Sequence, residues 1–261
     1  MHLKPKKSLG QNFLVDKNIQ RKLIAAYKLK SNEQILEIGA GYGNLTKLAA
    51  GNAAFIYALE IDRGLCKILK EDTKGYTNIR VINQDILKFN FRRNFKQLKN
   101  RLKVIGNIPY YITTPIIEHL FRYPDKIENI FITVQKEFAK RIIACPGSKN
   151  YGSFSCFVQY HSIPKVLFSI KKNCFLPRPE VDSCLLQLDI RGAKAVEVKD
   201  ERRLFRIIRS AFNQRRKTLR NSLDGIIPPG KIVLFFKEYG ISPNIRPEGL
   251  TLQSFANLAN L

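Results

Sequence analysis

The sequence predicts an α/β chain: a seven-stranded, mostly parallel sheet with helices between its strands, followed by a small all-helical second domain. Three observations predict it. Apolar runs of strand length alternate with segments of helical length as far as Ile190. From Glu201 onward the hydrophobic period becomes helical. Between them, Arg191-Gly192-Ala193-Lys194 carries neither pattern, which divides the chain into 1–192 and 193–261. With 44% hydrophobic and 25% charged residues there is enough apolar side chain to bury a core, which excludes a disordered protein.

The seven strands are read at Gln34–Ile38, Phe55–Glu60, Asn78–Asn83, Leu102–Asn107, Asn129–Val134, Lys165–Ile170 and Ser183–Ile190. Helices are expected at Asn44–Ala50, Arg63–Lys70 and Pro115–Arg122. The last two strands are joined by Lys171–Asp182, which has two prolines and no helical pattern, so they are expected as an antiparallel pair at one edge. In the second domain Leu204, Ile208, Ala211, Phe212, Leu219 and Leu223 recur at helical spacing, with arginines on the other faces. One amphipathic helix is therefore expected to run from Glu201 until Pro228-Pro229-Gly230 stops it. Two short helices should follow, over Lys231–Tyr239 and Leu250–Leu258.

The first strand runs directly into Gly39-Ala40-Gly41-Tyr42-Gly43. Glycines here let backbone amides approach a ligand and tolerate positive φ. Glu60 closes the second strand, where an acid can accept from both hydroxyls of a ribose; Asp85 follows the third, where a carboxylate can accept from the exocyclic amine of adenine. A bound NAD is disfavoured, because its fingerprint wants glycine where this chain has Asn44. Glycines, ribose acid and adenine acid at three successive strand ends point to S-adenosylmethionine. The cofactor set includes Gly39, Gly41, Glu60, Asp85 and the residues next to the acids, Ile61 and Ile86.

The fourth strand ends in Asn107-Ile108-Pro109-Tyr110. An aromatic amine is a poor nucleophile because its lone pair is delocalised into the ring. Two acceptors on its N–H bonds favour a pyramidal nitrogen whose lone pair faces an electrophilic methyl. The Asn107 side-chain oxygen and the Ile108 carbonyl can be those acceptors, Pro109 fixes the turn, and Tyr110 offers a flat face for the base. No general base is needed, since the methylated ammonium is acidic enough to lose its proton to water. His2, His119 and His161 show no metal or triad spacing and are read as structural or surface residues; no metal is expected.

A net charge of +24 and a pI near 10.0 imply a polyanionic partner. No apolar run reaches the roughly 20 residues that span a bilayer, and Met1-His2-Leu3-Lys4-Pro5 lacks a signal-peptide core, so nucleic acid in the cytoplasm is expected. The bases concentrate in Met1–Lys30, Lys88–Lys103 and the chain from Lys199 onward, where Arg209, Arg215, Arg216 and Arg220 are candidate phosphate contacts. Five cysteines form neither a zinc pair nor a disulfide framework and are expected reduced and buried.

Gly10-Gln11-Asn12-Phe13-Leu14, Glu37-Ile38-Gly39-Ala40-Gly41, Asn107-Ile108-Pro109-Tyr110, Gln135-Lys136-Glu137 and Phe175-Leu176-Pro177-Arg178-Pro179-Glu180-Val181-Asp182-Ser183 resemble the successive motifs of the rRNA adenine N6-dimethyltransferases. The resemblance runs through the helical tail, including Arg209 to Leu219. It implies a Rossmann-like methyltransferase domain that uses S-adenosylmethionine and places two methyls on adenine N6. Gln11, Asn12 and Leu14 would join the cofactor pocket, Asn107 would face both cofactor and target, and Phe175 would stack on the flipped adenine opposite Tyr110. Within the family the chain looks most like the members acting on small-subunit rRNA in an assembling ribosomal particle, and it is expected to work as a monomer. Two alternatives share many of these features: the same chemistry on large-subunit RNA, conferring antibiotic resistance, and a non-catalytic ribosome-assembly factor.

Overall fold

The computed structural model describes residues 5, 6, 9–96, 98 and 100–261. The first four residues and Lys7 of the basic N-terminal stretch, and Lys99 of the second basic segment, lie outside the described residues. The chain forms two compact units, Met1–Ala139 with Lys165–Ile190, and Lys140–Pro164 with Arg191–Leu261.

The strands are β1 (Phe13–Leu14), β2 (Gln34–Ile38), β3 (Phe55–Glu60), β4 (Ile79–Asn83), β5 (Leu102–Asn107), β6 (Ile127–Gln135), β7 (Ser162–Ile170), β8 (Phe175–Leu176) and β9 (Ser183–Ile190). Seven of them form one sheet in the order β4-β3-β2-β5-β6-β9-β7. Strands β4 to β6 are joined in parallel, and β9 runs antiparallel to β6 with Gln135 opposite Ser183. The late strands thus lie at one edge as expected, with β9 inserted between β6 and β7. Helices α1 (Lys17–Tyr27), α2 (Asn44–Ala50), α3 (Arg63–Asp72), α4 (Phe91–Asn94), α5 (Thr113–Leu120) and α6 (Lys136–Ile142) fall between strands. The strand runs Ile35-Leu36 and Val104-Ile105 are wholly buried, because the central strands of a parallel sheet are covered on both faces. Asp16 and Asp62 cap α1 and α3 by accepting the orphan N–H groups of their first turns.

Two features bring the functional residues together. First, β2 and β5 lie so close at Ile38 opposite Gly106 that a Cβ on Gly106 would sit 2.8 Å from the Ile38 carbonyl oxygen. Second, β1 and β8 pair antiparallel, Phe13 with Leu176 and Leu14 with Phe175, which ties the N-terminal segment to the chain after β7. Neither two-residue strand shows in the hydrophobic pattern.

The second unit contains α7 (Ser153–His161), α8 (Glu201–Asn213), α9 (Leu219–Ser222), α10 (Pro229–Glu238) and α11 (Leu252–Asn260). It takes in Lys140–Pro164 as well as the tail, unlike the division at 192/193, because Tyr151, Cys156 and Tyr160 share one buried cluster with Leu204, Phe205 and Phe212. The single long helix expected from Glu201 is broken. Helix α8 ends at Gln214, and α9 restarts with Thr218 as its cap. Three successive cations, Arg215-Arg216-Lys217, occupy the break, and Arg215 donates there to the carbonyls of Lys149 and Tyr151, both at 3.1 Å. Pro229 begins α10 rather than ending a helix, since proline's missing N–H costs nothing in a first turn. Four of the cysteines are buried, but Cys145 is exposed; its neighbours Ala144 and Pro146 are apolar, so composition suggested otherwise.

Glu37, in the middle of the sheet, is 2% exposed and accepts from the Thr46 hydroxyl. Burial pushes its carboxyl up to about 8, with the Thr46 bond pulling the other way and Glu60 adding to the rise. Between about pH 5 and 8 the unfolded chain has this group ionised while the fold keeps it protonated, so its contribution to stability falls as pH rises. Glu37→Gln keeps an acceptor for Thr46 and removes the titration. The melting temperature of the variant relative to the parent should therefore rise steadily from pH 5 to pH 8; a difference constant with pH would contradict the protonated carboxyl.

Candidate active site

The carboxyl ends of β2, β3 and β5, the segment after β4 and the N-terminal residues 9–13 line a cleft that is open to solvent on one side. Open parallel sheets place ligands at this end, where the strand order reverses between neighbours. Its first wall is the glycine turn. Gly39, Gly41 and Gly43 have φ of 71°, 57° and 73°, and the turn folds back so that the Gly39 and Ala40 amides donate to the Leu59 carbonyl at 2.8 and 3.2 Å. A Cβ on Gly43 would lie 2.2 Å from Leu69, so the turn packs against α3 only as glycine.

Glu60 stands beside this turn, 5% exposed. Its Oε2 accepts from the Gly41 amide and its Oε1 from the Asp62 amide, both at 2.9 Å. Its own carbonyl accepts from Asn83 Nδ2 and from the Gln84 amide, so the residue is fixed at both ends. Burial raises its pKa, and the two amide bonds oppose the rise. The Ile61 amide opposes the rise as well, and a carboxylate with about four lone-pair directions keeps capacity for a further donor. Asp85 caps a turn by accepting from the Leu87 amide at 2.9 Å, and its other oxygen has no donor among the described residues.

Asn107 projects from the end of β5 and donates through Nδ2 to the Asn12 carbonyl at 2.8 Å. A carbonyl can only accept, which fixes the amide orientation and leaves Oδ1 without a donor among the described residues. Ile108 is buried; Tyr110 follows Pro109 and hydrogen-bonds through its hydroxyl to Ser183 Oγ at 2.5 Å. Tyr111 lies next to it on the cleft wall, 66% exposed.

Gln11, Asn12, Gly39, Gly41, Glu60, Ile61, Asp85, Ile86, Asn107, Ile108, Pro109 and Tyr110 are therefore brought together. Leu14 and Phe175 are not. Both are buried in the core beside Leu23 and Ile170, and Phe175 is 3% exposed, so it does not face a base opposite Tyr110 here. The reason is pleat: in the β1–β8 pair Phe175 points inward and Leu176, 63% exposed, points out. The roles of Lys6, Asp62 and Phe13 went unread in the sequence. Asp62 is the anchor of the N-terminal segment, forming an ion pair with Lys6 at 2.8 Å and accepting from Gln11 Nε2 at 3.5 Å. Burial disfavours its charge, yet the Lys6 ammonium and the amides of Gly64 and Leu65 hold its pKa below the usual value. Phe13 packs against Tyr42, and a Cβ on Gly41 would come within 3.3 Å of its ring at a residue whose φ of 57° already favours glycine. The one sequence signal for Asp62 was its place as an acid just before a helix.

The model of the family described as ribosomal RNA adenine dimethylase matches residues 2–261. The chain belongs to this family. The ribosomal RNA small subunit methyltransferase A of Lachnoclostridium phytofermentans is 42% identical over 98% of this chain and 90% of its own length. That of Moorella thermoacetica is 42% identical over 98% and 92%. Among solved structures, a dimethyladenosine transferase from Plasmodium falciparum has a TM-score of 0.81 at 25% identity, covering 94% of this chain and 95% of that one. The 23S rRNA methyltransferase ErmE shares the fold, with a TM-score of 0.74 at 24% identity over 95% and 98% of the two chains. As a ribosomal RNA adenine dimethylase the chain is an S-adenosylmethionine-dependent enzyme, and the cleft has the donor and acceptor set that this cofactor requires: unused acceptor capacity on Glu60 and Asp85 and a glycine turn with no Cβ in the way.

If Glu60 accepts from the ribose hydroxyls, replacing it by alanine removes charge-assisted bonds worth ~1.5–3 kcal/mol each. Calorimetry should show S-adenosylmethionine affinity at least tenfold weaker in a folded Glu60→Ala protein; equal affinity would refute the ribose assignment.

Proposed function

We propose that this chain transfers two methyl groups to N6 of adenines in small-subunit rRNA, acting in the cytoplasm as a monomer on an assembling ribosomal particle. The observation that carries the reading is the Asn107 amide, held by the Asn12 carbonyl with Oδ1 left to accept. The 42% identical relatives named as small-subunit methyltransferases support the choice of RNA.

Glu60 binds the ribose hydroxyls, Asp85 the adenine amine, and Gln11, Ile61 and Ile86 complete the pocket for S-adenosylmethionine. The bound cofactor supplies a methyl group already activated by its sulfonium charge. The target adenine leaves its stack and lies against Tyr110. Asn107 Oδ1 and the Ile108 carbonyl take the two N–H groups of its amine, which localises the nitrogen lone pair, and Pro109 keeps the two acceptors at a fixed separation. Most of the acceleration then comes from placement and from acceptors arranged in advance. No side chain need remove the proton, which passes to water.

Mass spectrometry of unmodified small-subunit particles, incubated with the protein and isotopically labelled S-adenosylmethionine, should show label in dimethyladenosine of the small-subunit rRNA. Label confined to large-subunit RNA, or none, would overturn the reading. Asn107→Ala should lower the single-turnover rate, at saturating cofactor and RNA, by at least about tenfold while weakening RNA binding less. An unchanged rate would remove Asn107 from the chemistry.

In the second unit Arg209, Arg216 and Arg220 are exposed and are the phosphate contacts; Arg215 is exposed as well, but its guanidinium already serves two carbonyls. Changing Arg209, Arg216 and Arg220 to glutamine should spare cofactor affinity and weaken binding to the particle. The slope of log affinity against log salt should flatten by ~0.7–0.9 for each phosphate that is no longer neutralised. An unchanged slope would return these arginines to a solvated surface.

A further inference from the structure

Two of the sequence motifs, Gln135-Lys136-Glu137 and Phe175 to Ser183, contribute no residue to the cleft lining described above. Their ends meet in the sheet. Gln135 is the last residue of β6 and pairs with Ser183, the first of β9. One step on, the Lys136 amide donates to the Asp182 carbonyl at 3.1 Å, and Asp182 in turn accepts from the Lys172 amide and pairs with Lys171. Ser183 is thereby fixed in backbone on both sides, is fully buried, and directs its hydroxyl to Tyr110, 73 residues earlier in the chain.

We propose that Ser183 is a positioning residue for the target base: its hydrogen bond to the Tyr110 hydroxyl locks the ring in the plane that receives the adenine. The inference rests on the function proposed above. A tyrosine ring at the start of a short helical turn has freedom about χ1 and χ2, and a stacked base requires one orientation. Packing supplies only part of the restraint, because Tyr110 is half-buried and open to the cleft. With Phe175 in the core, Tyr110 is the aromatic assigned to the base, so its orientation bears directly on base capture. The surroundings keep the phenol neutral and able to donate: burial raises its pKa, with the bond to Ser183 opposing in part.

The test uses the full chain with rRNA carrying 2-aminopurine at the target position, whose emission is quenched on stacking, and the natural RNA for kinetics. Ser183→Ala and Tyr110→Phe should each reduce the quenching and raise the KM for RNA about five- to tenfold, leave the cofactor affinity as in the parent, and show no additivity in the double variant. Ser183→Thr should restore both readouts. Parental quenching and KM in Ser183→Ala, or additive effects, would overturn the proposal. If Ser183→Ala fails to fold, Tyr110→Phe decides alone, since it removes the same bond and leaves the ring and Ser183 in place; parental behaviour there overturns it equally. A parent protein that neither quenches nor methylates would overturn the function on which the inference rests, and with it the inference.

Discussion

The hydrogen bond from Asn107 to the Asn12 carbonyl ties the N-terminal wall of the site to the end of the sheet. Asn107 comes from the end of a buried central strand, while Asn12 comes from a segment with no regular structure beyond two paired residues, and 95 positions separate them. Without the Asn12 carbonyl the Asn107 amide could turn over, presenting a donor where the proposed mechanism needs an acceptor. The N-terminal segment must therefore be placed before the site can exist. Its placement has three supports: the Lys6–Asp62 ion pair, the tilted packing of Phe13 on Tyr42 of the glycine turn, and the β1–β8 pair. The first is partly exposed and individually worth little; acting with the others, it holds one wall of the cleft.

The electrostatics follow from the same geometry. A chain of net charge +24 keeps two buried acids, Glu37 and Glu60, and the buried Asp62 close to one strand end. Each is accommodated differently: Glu37 by holding its proton, Glu60 by backbone amides, Asp62 by an ammonium and a helix N-terminus. The cleft thus concentrates acceptors, which suits a cationic cofactor, in a chain whose net charge is strongly positive.

What the sequence made legible was periodic or terminal. Strand ends are visible as the last residue of an apolar run, so Glu60, Asp85 and Asn107 could be placed before any coordinates. Contacts between distant backbone and side chain leave no such trace, which is why the Asn12–Asn107 bond, the Asp62 anchor and the Ser183–Tyr110 bond were invisible. Phe175 shows a different failure: its motif was readable, but the direction of an aromatic in a two-residue strand depends on the partner strand, not on its own neighbours. The broken helix after Asn213 belongs with it, since hydrophobic spacing carried across the gap to Leu219 and Leu223 while Arg215 found backbone acceptors in between.

The orientation of the Asn107 amide in the presence of its target is the most direct thing to measure. A crystal structure of the protein with S-adenosylhomocysteine and an RNA fragment containing the target adenine would show it. Asn107 Nδ2 should still reach the Asn12 carbonyl, and Oδ1 should lie within about 2.6–3.2 Å of adenine N6. An amide turned the other way, or a target amine with no contact to Oδ1, would contradict the mechanism at its centre.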